Sequence, residues 1–289
     1  MQKRRNVLSS PRLSELKKRR RRIILNKFLF FLVTFAIIFG ISSYVSNLKR
    51  LNLIDVQIAG NKVIDADIIK TEVQNILIGK YFWLFPKTNI LYYSKENIKN
   101  ALLVKFKRIK NIDLTVGTNR ILIVTLTERD AKYTWCGKYI PALNSNSNQK
   151  CYFMDDSGYI FDEAPYFSGN VYFKFYGNGN FNTDLPLGGN FLPDKFLNIL
   201  SFKDNLKNME LAPVAFWLDN LNNANFALIK EPTLGPSIIF KLDTDFEKIT
   251  ENLQAAISTE PLKSKLKNNF SSLIYIDLRF SNKVYDKFQ

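Results

Sequence analysis

The feature that most restricts this chain is an apolar run, Phe28 to Val45 (FLFFLVTFAIIFGISSYV), of eighteen residues without a charge, with six consecutive basic residues, Lys17 to Arg22, just before it. With Ile23 to Leu25 in front, the stretch is long enough as a helix to cross the hydrocarbon of a bilayer. No polar face recurs along it, which argues against a core helix of a water-soluble protein. Gly40 to Val45 contains no A-x-A-like cleavage site, so the segment reads as an uncleaved signal anchor and not as a removed signal peptide. Only Lys49 and Arg50 follow closely. The positive-inside rule then puts the amino terminus in the cytoplasm and everything after about residue 48 outside.

The charge belongs to the same end of the chain. Residues 1–27 hold eleven of the 41 Lys and Arg and one of the 26 acids, which is +10 of the total +15. The remainder is close to balanced, so the folded part is not expected to carry a nucleic-acid-binding face. The tail lacks the interleaved aromatics of a single-strand binder, and its contact with anionic lipid is the natural alternative. Met1 to about Leu16 has no signal for a fold of its own. The chain has no histidine and only two cysteines, Cys136 and Cys151. That excludes His-based triads and bases, and most zinc or haem sites.

Past the membrane run the periodicity changes. Ile54 to Ile58 alternates as a strand and ends at Gly60-Asn61. Asp65 or Asp67 can cap a helix with Ile68, Ile69, Val73, Ile76 and Leu77 inward, closed by Gly79. An aromatic connection, Tyr81 to Pro86, leads to a Ser94-capped helix with Ile98, Ala101, Leu102 and the Lys105 stem inward. Two strands follow. The first, 109–116, places Ile112, Leu114 and Val116 on one face. The second, 120–128, is apolar on both faces and is expected to be central. Gly117-Thr118-Asn119 turns between them. The order is β-α-α-β-β.

These residues carry a family resemblance. A single span followed by Val56-Gln57-Ile58-Ala59-Gly60-Asn61, then Val124 to Arg129 ending in Glu-Arg, is similar to the POTRA domain of the FtsQ/DivIB family of bacterial cell-division proteins. Asp155-Asp156-Ser157-Gly158-Tyr159-Ile160-Phe161 resembles that family's D-x-x-G-x-x-F turn, and Ile276-Asp277-Leu278-Arg279-Phe280 its I-D-L-R-[FY] strand. The family's proline after Glu-Arg is Asp130 here, and paired cysteines are not expected of most members.

The expected fold is α+β: a basic cytoplasmic tail (1–22), a transmembrane signal anchor (23–48), a POTRA domain (49–130) and a mainly antiparallel β domain with two helices (131–289). In the last, strand-length runs lie at 131–135, 151–154, 159–162, 171–176, 214–218, 226–230, 237–242 and 273–279, and helices near 193–207 and 244–258. Cys136 and Cys151 are a disulfide candidate if their runs pair as a hairpin, with two free thiols as the alternative.

No glycine-rich phosphate loop, metal set or nucleophile elbow is present, and Asp155-Asp156 reads as a turn because adjacent strand residues face opposite ways. No catalytic residue, cofactor or small-molecule substrate is expected. The resemblance implies a divisome scaffold in the cell membrane at the septum, linking early and late division proteins. It implies that its last strands receive FtsB- and FtsL-like partners, and that its POTRA domain contacts further division proteins. Carried over by position, the partner-binding candidates are Arg279, Phe280, Asn282, Lys283 and Phe288. The bland alternatives are an ion pair for Arg279 and a core position for Phe280; Phe288 has little reason of its own to be aromatic. The competing functions are a POTRA-containing envelope assembly or secretion adaptor and a membrane-anchored Ser-Lys hydrolase.

Overall fold

A computed structural model describes residues 11–141, 149–167, 171–219, 221–228, 235–280 and 282–289, with side chains from 15 onward. The fold is mixed α+β, and the chain divides into two compact units. The first holds residues up to 102 and 112–126; the second holds 103–111 and 127–289.

The first unit opens on α1, a single helix over Pro11–Ser46 whose apolar stretch is exposed along its length. It is long and apolar enough to cross a membrane. Its start corrects the expectation of an unfolded tail to about Leu16, because 11–16 and the whole basic run are helical. Pro11 suits a first helical position, and Leu, Lys and Arg are good helix formers. Residues 1–10 lie outside the described residues.

After α1, β1 (Asp55–Ala59), α2 (Ala66–Leu77), α3 (Lys95–Lys105), β4 (Ile109–Val116) and β5 (Ile121–Glu128) follow in the expected order. Between the helices stands a small hairpin, β2 (Lys80–Tyr81) and β3 (Phe85–Pro86). The Asp65 carboxylate accepts from the Asp67 amide at 2.8 Å and caps α2; the Ser94 hydroxyl accepts from Asn97 and starts α3. The sheet order is β1-β5-β4, with β1 parallel to β5, so 121–128 is central as its composition suggests. Only one of its faces is buried, however, through Leu122, Val124, Leu126 and Glu128. On that side lie the buried Ile69, Val73, Leu77, Ile98 and Leu102 of the helices. Two inward expectations fail, since Ile68 and Lys105 are exposed, and Val116 is exposed while Ile112 and Leu114 on its face are buried. A helical stripe is narrower than a list of apolar residues, and Val116 sits at the fraying end of its strand. Gly60 is fixed by geometry. Its φ is +84°, and a Cβ there would run into the Leu126 carbonyl oxygen.

The second unit is a nine-stranded sheet. In chain order its strands are β6 (Tyr133–Trp135), β7 (Cys151–Met154), β8 (Ile160–Ala164), β9 (Phe173–Tyr176), β10 (Ala215–Leu218), β11 (Asn223–Ala227), β12 (Ser237–Lys241), β13 (Leu273–Phe280) and β14 (Lys283–Phe288). In space the order is β14-β13-β12-β11-β10-β9-β6-β7-β8. The sheet is less uniformly antiparallel than expected, because β6–β9, β9–β10 and β12–β13 pair in parallel. Parallel neighbours need crossovers: β9 reaches β10 through α4 (Phe196–Asn208), β12 reaches β13 through α5 (Phe246–Ser258) and α6 (Leu262–Asn269), and β6 reaches β9 by way of β7 and β8.

The helix α6 is a correction to the two-helix expectation. Its sequence LKSKLKNN buries only Leu262, so no apolar period announces it. Strand β11 also begins earlier than expected, at Asn223, since two asparagines there are buried and hydrogen bonded. The core is aromatic. Trp135, Phe175, Phe191, Phe196, Phe202, Phe216, Phe226 and Phe240 are fully buried, and Phe175 packs its ring 5.2 Å from Phe196 and 5.5 Å from Phe216. Each contributes roughly 1.5–3 kcal/mol by leaving water. The alternate residues Cys136, Tyr176, Ala215 and Ala227 form a smaller buried cluster, on the opposite sheet face by the strand period of two.

Candidate strand-docking edge

Two strands bound the nine-stranded sheet, β8 at one end and β14 at the other. An edge strand offers unpaired N–H and C=O groups to any extended chain that meets it.

The β8 edge is covered at its start. The Ile160 amide donates to the Gly189 carbonyl at 2.9 Å, and the Gly188 amide donates to the Ile160 carbonyl at 2.8 Å. Tyr159 forms a bridge with Asn190. Charge sits there too: Arg108 donates twice to Asp162 Oδ2, at 2.9 and 2.6 Å, and Lys150 pairs with Glu163 at 3.0 Å. The turn before β8 is built by Asp155. Its carboxylate accepts from the Ser157 amide and hydroxyl, from the Tyr159 amide and from Arg129. Burial raises the Asp155 pKa, but the bonds from Ser157 and Arg129 outweigh it and hold the carboxyl below its ordinary value. This is a structural turn, and Gly158 at φ +80° completes it because a Cβ would press on the Phe196 ring.

The β14 edge is open. β14 runs antiparallel to β13, with Asp277 opposite Tyr285 and Phe280 opposite Lys283, and two irregularities interrupt the ladder. Among the described residues no backbone hydrogen bond reaches its outer side. Lys283–Phe288 is thus a strand, beyond the last strand-length run expected at 273–279. The alternation Val284, Asp286, Phe288 was the signal that could have revealed it. These three are half-buried, while Lys283, Tyr285 and Lys287 are exposed.

The expected partner residues fall at this edge in different roles. Phe280 is 51% exposed, stacked edge-on to Tyr285 at 5.0 Å, so it is not a core aromatic. Asn282 and Lys283 are exposed in the turn and at the strand start. Arg279 is tied to the buried Asp277, Nε to Oδ1 at 2.9 Å and Nη2 to Oδ2 at 2.6 Å. Phe288 corrects the expectation that it lacks a structural reason to be aromatic. It packs on the main core, and Lys265 Nζ lies 5.2 Å from its ring. Tyr285, absent from the expected set, shares the exposed patch with Phe280 and Lys283.

Cys136, next to β6, and Cys151, opening β7, are joined by a disulfide with Cα atoms 4.1 Å apart. It closes a fifteen-residue separation at the far end of the sheet from β14.

Compared with family models and with curated proteins, the chain matches none.

Proposed function

We propose that this chain is a single-pass envelope protein whose part beyond the span is a non-catalytic docking scaffold, with its basic end in the cytoplasm. The observation that carries the proposal is the asymmetry of the large sheet. One edge is engaged by a loop at Ile160 and carries ion pairs at Asp162 and Glu163, and the other presents a strand with no loop on it, with an exposed Phe280, Tyr285 and Lys283 beside it. A partner segment adding to β14 gains main-chain hydrogen bonds for affinity and side-chain contacts for specificity. Taken with the resemblance to FtsQ/DivIB proteins, the partners are FtsB- and FtsL-like segments. The role is then to link early and late division proteins at the septum, with the POTRA-like part available to further division proteins.

The test is co-purification of the full-length chain in detergent with the extracytoplasmic segments of FtsB and FtsL from the same organism. Wild type is expected to retain them, and Phe280→Ala with Lys283→Glu to lose at least tenfold in affinity at unchanged thermal stability. Retention by both proteins removes β14 as the site. Failure of the wild type to bind removes these partners and turns the weight to an envelope assembly or secretion adaptor.

A further inference from the structure

The hairpin β2–β3 sits against the outer end of α1. The rings of Phe39 and Phe85 are 5.2 Å apart. The Leu84 carbonyl accepts from Asn47 Nδ2 at 2.8 Å and from the Ser43 hydroxyl at 3.3 Å, and Asn89 Nδ2 donates to the Ser46 carbonyl at 3.0 Å. Phe39 lies six residues before the end of the apolar run at Val45. At about 1.5 Å of rise per residue it stands about 9 Å inside that end. If α1 spans the bilayer, the hairpin is held at the depth of the headgroup and acyl boundary.

What the hairpin displays there is unusual for a turn. Phe82 and Trp83 form its tip at φ of +48° and +61°, a left-handed conformation that Asn and Gly adopt at far lower cost than bulky residues. They are 86% and 91% exposed, so packing within the protein does not compensate that strain. Leu84, Ile78 and Leu91 nearby are exposed as well. Lys80 in β2 and Lys49 and Arg50 beyond α1 are exposed cations, which lipid phosphates would attract if α1 spans a bilayer.

We infer that the Phe82-Trp83 hairpin is a second membrane contact, an aromatic anchor inserted into the outer leaflet's interface beside the spanning helix. Tryptophan favours that depth because its ring is apolar and its N–H meets water and headgroups. Two points of attachment, α1 and the hairpin, would hold the first folded unit against the bilayer.

The inference rests on α1 crossing the membrane, and the experiment separates the two. Full-length protein is reconstituted in phosphatidylcholine–phosphatidylglycerol vesicles whose acyl chains are brominated near the glycerol end. Trp83 is one of three tryptophans, so about a third of the emission is expected to be quenched in wild type and that share to vanish in Trp83→Phe. Equal quenching of both proteins, with the protein still resistant to carbonate extraction, overturns the hairpin contact alone. Release by carbonate overturns the spanning helix and the contact with it. Phe82→Ser with Trp83→Ser provides a second check: it is expected to raise hairpin proteolysis in vesicles at least several-fold, and an unchanged rate counts against the anchor.

Discussion

Arg279 grips Asp277 two residues back on the same strand: Nε donates to Oδ1 at 2.9 Å and to Oδ2 at 3.1 Å, and Nη2 donates to Oδ2 at 2.6 Å. The Asp277 oxygen Oδ1 also accepts from the Arg279 amide at 3.0 Å. Asp277 is buried, so the guanidinium neutralises a charge that would otherwise be costly, and this ties Arg279 to the fold before any partner arrives. Removing it is expected to lower stability by about 2 kcal/mol, since a buried carboxylate loses its partner. Urea unfolding of Arg279→Ala measures this. Asp277→Asn with Arg279→Leu is expected to recover most of the loss, and Arg279→Lys only part, because an ammonium cannot reproduce the two-point contact.

Phe280 and Phe288, both at the edge, are expected to behave oppositely. Phe288→Ala removes a ring packed on the core and is expected to cost about 2–3 kcal/mol, below the 3–5 of a fully buried ring. Phe280→Ala removes a half-exposed ring and is expected to cost about 0.5 kcal/mol or less. Thermal melts of the two variants discriminate them. A partner-binding assay is therefore clean at Phe280 and confounded at Phe288.

Acid is expected to weaken the second unit through Asp155 and Asp277. Burial raises both pKa values, but hydrogen bonds from Ser157 and Arg129, and from Arg279, more than offset it and leave both below the ordinary 3.8. A carboxyl with a depressed folded pKa contributes stability that is present above its unfolded value and lost as pH falls through its folded one. Unfolding free energy is expected to be flat down to about pH 5 and to drop below about pH 4. Asp155→Asn should be less stable at neutral pH and should lose less on acidification; an equally steep drop counts against the assignment.

The Cys136–Cys151 bond closes a fifteen-residue separation. In the chain-entropy account such a loop stabilises by about 3 kcal/mol. Cys136→Ser with Cys151→Ser should lower the denaturation midpoint accordingly, and intact mass of the oxidised protein should fall short of the reduced form by two hydrogens. Tyr176 belongs to the buried cluster that includes Cys136, and burial pushes its pKa up to about 12. Its ultraviolet titration should come near pH 12, above the ordinary tyrosine value of 10.0.

Much of the local structure was legible in the order of residues. The apolar run announced α1, Asp65 and Ser94 announced two helix starts, and the alternation of 273–279 announced β13. These signals are local, because capping and periodicity involve residues within a turn or two of each other. The weakly periodic elements were missed for the same reason: α6 has few apolar positions, and Ile68 lies one residue off the buried stripe of α2.

By itself the sequence determined that a long uncharged helix follows a basic stretch, that no histidine chemistry is available, and that two α/β segments follow the helix. Only the tertiary structure decided that the last six-residue strand is the open border of a nine-stranded sheet. It alone paired Arg279 with Asp277 rather than leaving it exposed, and set Phe82 and Trp83 beside the end of the apolar helix. The physical reason is that a period of two tells which face a residue takes but not which strand lies next to it. Neighbours are chosen by long-range pairing and by the burial of the whole aromatic core.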